Sequence, residues 1–241
     1  MKTAPWLLVA SGVLEVGHFV VLDPAEGRHL TRALRRRPGD EIFLADGNGS
    51  VAEARLVTIG KGRVEAEVLS VRHEAEPESE GVTVALAMVE SRAMDLAMQK
   101  AVEIGVRRFV PIETERAQVR GRDLGGRVEH WRSISMQALK QCRRPWAMEV
   151  TEVLPLEALV DSESARGGGV VADMDGCAIG TLPESAGNLL VVGPEGGFTA
   201  AESEIFDRRG WPRLRLGPHV LRAETAAVVG GAMLVARDED R

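Results

Sequence analysis

The sequence predicts an α/β protein in two parts: a small β-barrel-like module, then a larger domain built on a mostly parallel sheet. Three observations carry this. Short alternating apolar and polar runs fill the first 73 residues, a period of two that marks half-buried strands. From Val82 onward, apolar runs alternate with helical patterns, the arrangement of βα units. Between them, His73-Glu-Ala-Glu-Pro-Glu-Ser-Glu-Gly81 is acidic, contains Pro77 and ends in glycine, a linker composition. The division puts the first domain at 1–73, the linker at 74–81 and the second domain at 82–241.

In the first module, strands are expected at His18–Leu22, Glu41–Ala45, Val51–Ile59 and Arg63–Val71. Asp46-Gly47-Asn48-Gly49 joins the second to the third with residues that tolerate positive φ, a hairpin turn. A basic helix is expected from His29 to Arg37, stopping before Pro38-Gly39. In the second domain, Val82–Val89 reads as a buried strand. A helix over Ala93–Ile104 carries Met94, Ala97, Met98 and Ala101 at helical spacing and ends at Gly105. A strand at Arg108–Ile112 and a helix at Arg127–Gln141 follow. Further strands are expected at Val170–Ala172, Leu189–Val192 and Leu214–Leu216, with helices after the last two. The final helix, Ala226–Val235, contains Gly230-Gly231, which costs about 1 kcal/mol per residue against alanine. Something is therefore expected to pack close to it.

Two segments concentrate the chemistry. Gly193-Pro-Glu-Gly-Gly-Phe-Thr199 follows a buried strand and leads into Thr199-Ala-Ala-Glu202, the pattern of a capping box. Leu216-Gly-Pro-His-Val-Leu-Arg-Ala-Glu-Thr225 repeats the plan of strand, glycine turn and helix. Ligands of parallel α/β sheets bind beyond the carboxyl ends of the strands, where both segments sit. Phosphate fits poorly. Neither a P-loop nor a dinucleotide fingerprint is present, and Glu195 places a carboxylate inside the first turn. A hydroxylated or cationic ligand suits that turn better.

Composition bounds the class. The chain has 241 residues, 44% hydrophobic and 27% charged, the proportions of a soluble globular protein. Cys142 and Cys177 form neither a metal-ligand spacing nor a disulfide framework, which suits a reducing cytoplasmic compartment and no metal. The apolar run Ala4–Ala10 after Lys2 is too short for a secretory leader. No stretch approaches the ~20 apolar residues of a membrane span. The net charge of −6 is unevenly spread. Ser91–Arg144 holds twelve Lys/Arg against six Asp/Glu, and Pro145–Ile205 holds one Arg against eleven acids. A separate knot of five arginines runs from Arg28 to Arg37. Local field rather than net charge attracts a polyanion, so a nucleic-acid surface is expected.

The paired C-terminal segments resemble the RsmE family of ribosomal RNA uracil-N3 methyltransferases, a SPOUT-class family. Met94–Val106 with Gln99-Lys100 and Glu103-x-Gly105, Glu115-Arg116, and Gln141-Cys142 with Arg144 resemble further family segments. His29-Leu30 through Pro38-Gly39-Asp40, with Asp46-Gly47, resembles the family's N-terminal PUA-like domain. Lys140, Arg143, His219 and His18 depart from the residues the family commonly carries there.

The resemblance implies a SPOUT-type parallel sheet with a C-terminal trefoil knot after a PUA-like β-barrel, a homodimer, and S-adenosylmethionine as cofactor. That molecule carries a sulfonium cation and ribose hydroxyls but no phosphate, so Glu195 is no obstacle. Carried onto this chain, the cofactor residues are Val192, Gly193, Pro194, Glu195, Gly196, Gly197, Leu216, Gly217, Val220, Leu221 and Thr225, with the segment after Val170–Ala172 as a third wall. Arg222 is expected to stabilise an anionic uracil, and Glu224 to accept its proton or orient Arg222. Glu224 also suits a helix N-terminus for the dipole alone. RNA contacts are expected from Arg28, Arg32, Arg35 and Arg36 on the first domain, and from Arg92, Lys100, Arg116, Arg143 and Arg144 on the second. The partner implied is the small ribosomal subunit or its RNA. Two alternatives stay open: another SPOUT methyltransferase acting on ribose 2′-O or guanine N1, and an RNA-binding module without catalysis.

Overall fold

The structure is a computed structural model that describes residues 4–60, 63–76, 80–117, 124–164 and 166–240. Residue 2 and residues 77–79 of the expected linker lie outside these. The chain forms two compact units, 1–78 with 139–147, and 79–138 with 148–241.

The first unit holds a five-stranded sheet in the order β1-β3-β4-β5-β2. Its strands are β1 (Trp6–Leu8), β2 (Phe19–Val21), β3 (Glu41–Ala45), β4 (Ser50–Gly60) and β5 (Arg63–His73). All neighbours pair antiparallel except β1 with β3, which is parallel. The leader-like N-terminal run thus becomes an edge strand, its Leu7 buried in the core. Alternation sorts β4, with Ala52, Ala54 and Leu56 inward and Glu53 and Arg55 outward. In the β3–β4 turn, the Asp46 carboxylate accepts from the Asn48 and Ser50 amides at 2.8 and 3.0 Å. Gly47 and Gly49 take φ of 74° and 88°. Gly49 is required twice over, because a Cβ there would lie 2.5 Å from the Trp146 ring.

The helix of this unit is shifted from its expected place. It runs as α1 (Pro24–Arg28), continued by a π turn at His29–Ala33. Asp23 caps it by accepting from the Ala25 amide at 2.7 Å, and Pro24 opens its first turn. Arg35 then takes φ of 52°, so Arg35, Arg36 and Arg37 lie beyond the helix rather than on it. The Asp-Pro start signal outweighed the basic run. Residues 139–147 join this unit through Trp146 over Gly49, the Ala147 amide on Gly47 O at 2.7 Å, and Lys140 with Glu26 at 2.7 Å. Arg143 and Arg144 are thus grouped with the first unit.

The second unit is a parallel sheet in the order β12-β10-β11-β6-β7-β8, with β9 also on β7. In chain order its elements are β6 (Thr83–Ala87), α2 (Ser91–Glu103), β7 (Arg108–Glu113), α3 (Leu124–Cys142, of which the residues from 139 on count with the first unit), β8 (Glu149–Val150), β9 (Leu154–Pro155), α4 (Leu156–Ser164), β10 (Gly169–Cys177), a 3-10 turn (Ile179–Thr181), β11 (Leu189–Val192), α5 (Ala200–Arg208), β12 (Arg213–Leu214) and α6 (Ala223–Glu239). β6 is buried along its whole length, as a central parallel strand must be. α2 buries Met94, Ala97, Met98 and Ala101, the stripe its spacing predicts, and Gly105 follows it at φ 94°. The expected close approach at Gly230-Gly231 is real. Cβ atoms there would lie 2.6 Å from Leu190 and 3.2 Å from Val84, so α6 rests directly on β11 and β6. α4, which the sequence reading left out, buries Leu156, Leu159 and Val160, an i, i+3, i+4 signal that was available.

Candidate active site

One cavity of about 360 Å³ lies where β11 and β12 end, against the middle of β10. Its walls are Ala172, Asp173 and Met174 from β10, the turn after β11, and the segment after β12, closed by Ala223 and Ala226 of α6. This is the edge of a parallel sheet where ligands bind, and the volume lies within the range of small-molecule sites.

The turn after β11 is tightly built. The Gly197 amide donates to Pro194 O at 2.8 Å, and Gly197 takes φ of 66°, the left-handed region that favours glycine. The expected capping box is formed. Thr199 Oγ1 accepts from the Glu202 amide at 3.3 Å, while the Glu202 carboxylate accepts from the Thr199 amide at 2.8 Å. Phe198 closes over Gly193 and meets Phe206 edge-on, with ring centroids 5.0 Å apart. Phe206 in turn stacks with Trp211 at 5.8 Å, anchoring the turn to the core. Arg116, beyond β7, donates to Gly196 O at 2.8 Å and to Phe198 O at 3.3 Å.

The segment after β12 is more open. Leu216 and Leu221 are half-buried in the cavity wall, and Val220 stands 83% exposed at its rim. Arg222 is the N-cap residue of α6 with no side-chain cap bond, and Glu224 lies in the first helical turn. Arg213 ties the walls together. It donates to Asp173 on β10 at 2.9 Å, and to Asp207 Oδ1 and Ser203 O on α5 at 2.8 and 3.4 Å. The bond to Asp207 raises the Arg213 pKa above its ordinary value; partial burial opposes this and the bond to Asp173 adds to it. The side chain stays cationic, and its charge is answered within the wall.

Of the expected cofactor residues, Val192, Gly193, Pro194, Glu195, Gly197, Leu216, Gly217, Val220 and Leu221 line this one cavity. Gly196 and Thr225 are not among its lining, and Thr225 is exposed on α6. Arg222 and Glu224, the expected catalytic pair, are not among its lining either; each is the sequence neighbour of Ala223, which is. The third wall comes from the strand β10 itself rather than a loop after Ala172. Asp173 and Met174 are the first residues after Ala172, where a third wall was expected; sequence reasoning missed Ser203 and Arg213, which the topology alone brings here.

The expected RNA residues divide otherwise. Arg28, Arg32, Arg35 and Arg143 are exposed on the first unit, where Arg36 and Arg144 are half-buried. Arg92 is exposed on the second unit, where Lys100 pairs with Glu103 at 2.8 Å and Arg116 engages the glycine turn. Among the described residues no group of three or more His, Cys, Asp or Glu side chains could hold a metal ion. No described helix is long and apolar enough to cross a membrane.

Comparison with known proteins adds the decisive observation. Residues 76–235 match the RNA methyltransferase domain family, and residues 22–69 match the RNA methyltransferase PUA domain. A ribosomal RNA small subunit methyltransferase E of Mycobacterium bovis is 34% identical over 224 residues, covering 89% of this chain and 85% of its own. The chain belongs to the ribosomal RNA small subunit methyltransferase E family. The family member of Aquifex aeolicus is 29% identical over 88% of this chain and 92% of its own. Among solved structures, the family enzyme of Neisseria gonorrhoeae bound to S-adenosylmethionine shares 29% identity with a TM-score of 0.86, covering 97% of this chain and 98% of that one. A Legionella pneumophila methyltransferase with bound S-adenosylmethionine reaches a TM-score of 0.87 at 26% identity, over 97% of this chain and 98% of that one.

Proposed function

We propose that this chain methylates N3 of a uridine in small-subunit ribosomal RNA, using S-adenosylmethionine held in the cavity where β11 and β12 end against β10. The observation that carries the reading is the convergence of both glycine turns on that single cavity, in a chain whose solved relatives carry this cofactor. The same reading includes a C-terminal trefoil knot, a homodimer and a cytoplasmic setting.

The residues suit the cofactor. Val192, Phe198, Leu216, Leu221 and Ala226 offer apolar walls to an adenine ring, and Glu195 and Asp173 border the cavity with carboxylates compatible with a cationic sulfur, an ammonium or ribose hydroxyls. A Cβ on Gly217 would meet nothing within 4 Å, so that backbone leaves open space beside the cavity wall. Bound there, the cofactor supplies an electrophilic methyl group and leaves as a neutral thioether.

The chain's own residues then manage the uracil. N3 must lose its proton before or as the N–C bond forms. Arg222 supplies fixed positive charge for the negative charge that develops on the base. Glu224, two residues on, accepts the proton or holds Arg222 in place. Arg222 gains nothing from a helix N-terminus, where the dipole disfavours a cation, and this favours a role in the reaction over one in the fold. The arginines of both units contribute phosphate contacts, and the target base is flipped or already unpaired.

The test is transfer of labelled methyl groups from S-adenosylmethionine to purified small subunits. Wild type incorporates label. Arg222→Ala is expected to lose on the order of 10²-fold in kcat with unchanged cofactor affinity by calorimetry. Near-full activity of that variant would remove Arg222 from the chemistry.

A further inference from the structure

We propose that Glu202 and Arg116 form a latch that fixes the glycine turn to the end of β7, and that cofactor affinity depends on it; both are positioning residues. The proposal rests on the functional reading above.

A capping box asks one thing of Glu202, a carboxylate oxygen for the N-cap amide, and Oε2 supplies it to Thr199. The other oxygen does something the box does not require. Oε1 accepts from the Glu115 amide at 2.7 Å, across 87 residues of sequence. The residue is 7% exposed, and a buried carboxylate is tolerated only where hydrogen bonds replace water. Both oxygens therefore serve backbone amides, one in each of two separate segments.

Arg116 completes the clasp from the adjacent position. Its guanidinium holds the carbonyls of Gly196 and Phe198. Neighbouring residues just beyond β7 thus grip the C-terminal half of the turn, Arg116 by the carbonyls of Gly196 and Phe198 and Glu115 through Glu202 at Thr199. Gly197 and Phe198, inside the gripped segment, line the cavity. A glycine-rich turn has little stiffness of its own, so these four bonds add to the Gly197–Pro194 bond and the packing of Phe198 in holding its shape. Preorganisation of that kind appears as affinity, because the ligand no longer has to order the loop.

Three variants separate the latch from the helix cap. Glu202→Gln offers an NH₂ group where one of the two amides needs an acceptor. Arg116→Ala removes the carbonyl contacts from an exposed position. Thr199→Ala deletes the cap hydroxyl and leaves the latch intact. Calorimetry with S-adenosylmethionine and no RNA is expected to show Kd raised roughly tenfold in the first two and within about twofold of wild type in the third. In steady state with small subunits, Glu202→Gln raises the cofactor KM and leaves kcat within about threefold, a split that a loss of stability alone would not produce. Unchanged Kd in Glu202→Gln and Arg116→Ala overturns the latch, as does an equal loss in Thr199→Ala, which would reduce it to capping. Should Glu202→Gln fail to fold, Arg116→Ala decides. Failure of the wild type itself to bind the cofactor would instead overturn the functional reading.

Discussion

Arg35 and Arg143 are the two non-glycine residues among those described with positive φ, at 52° and 61°. Such conformations cost on the order of 1–3 kcal/mol each and persist where surrounding structure or function holds them. Both are arginines expected to contact RNA, both are exposed, and both lie in the first unit. Arg143→Gly is expected to raise stability by about 1 kcal/mol in urea denaturation while weakening the affinity for small subunits. A gain in stability with unchanged affinity would make the strain incidental. Arg143 directly follows α3, and the Arg144 amide donates to Leu139 O at 3.2 Å, the closing bond of a left-handed helix C-cap in which an arginine stands where glycine is usual. Gly47, Gly49 and Gly197, by contrast, were legible, because turn glycines declare positive φ directly.

At the scale of elements, α6 shows how packing overrides propensity. Gly230→Ala would gain about 1 kcal/mol of helix propensity. Its Cβ would meet Leu190 at 2.6 Å and Leu216 at 3.0 Å, and overpacking of a tight core costs ~1–3 kcal/mol. Leu216 lines the cavity, so the substitution reaches the site. The expected outcome is a lower Tm together with weaker cofactor binding. A stabilised variant with wild-type affinity would show that the contact has room to relax. Most strands and helices were readable because alternation and 3–4 spacing are local properties. β8 and β9 escaped because two residues carry no period, and their place on β7 is fixed only by pairing. The first helix was misplaced because charge was read where the cap, Asp23-Pro24, was the controlling signal.

The whole molecule unites an acidic chain with an arginine-rich first unit and a parallel-sheet unit that ends in a cavity. Local signals could name the two glycine turns, and the resemblance pointed to the segment after Ala172, yet neither named Arg213, which reaches the cavity through the strand order β12-β10-β11. Nor could a linear division foresee that residues 139–147 join the first unit. The atom methylated can be read directly from the modified nucleoside. Small subunits lacking the modification are incubated with the chain and labelled S-adenosylmethionine, digested to nucleosides and separated by mass. Label is expected in 3-methyluridine and is expected to disappear with Arg222→Ala. Label in a 2′-O-methylated nucleoside or in 1-methylguanosine, or none in any nucleoside, would contradict methylation at uracil N3.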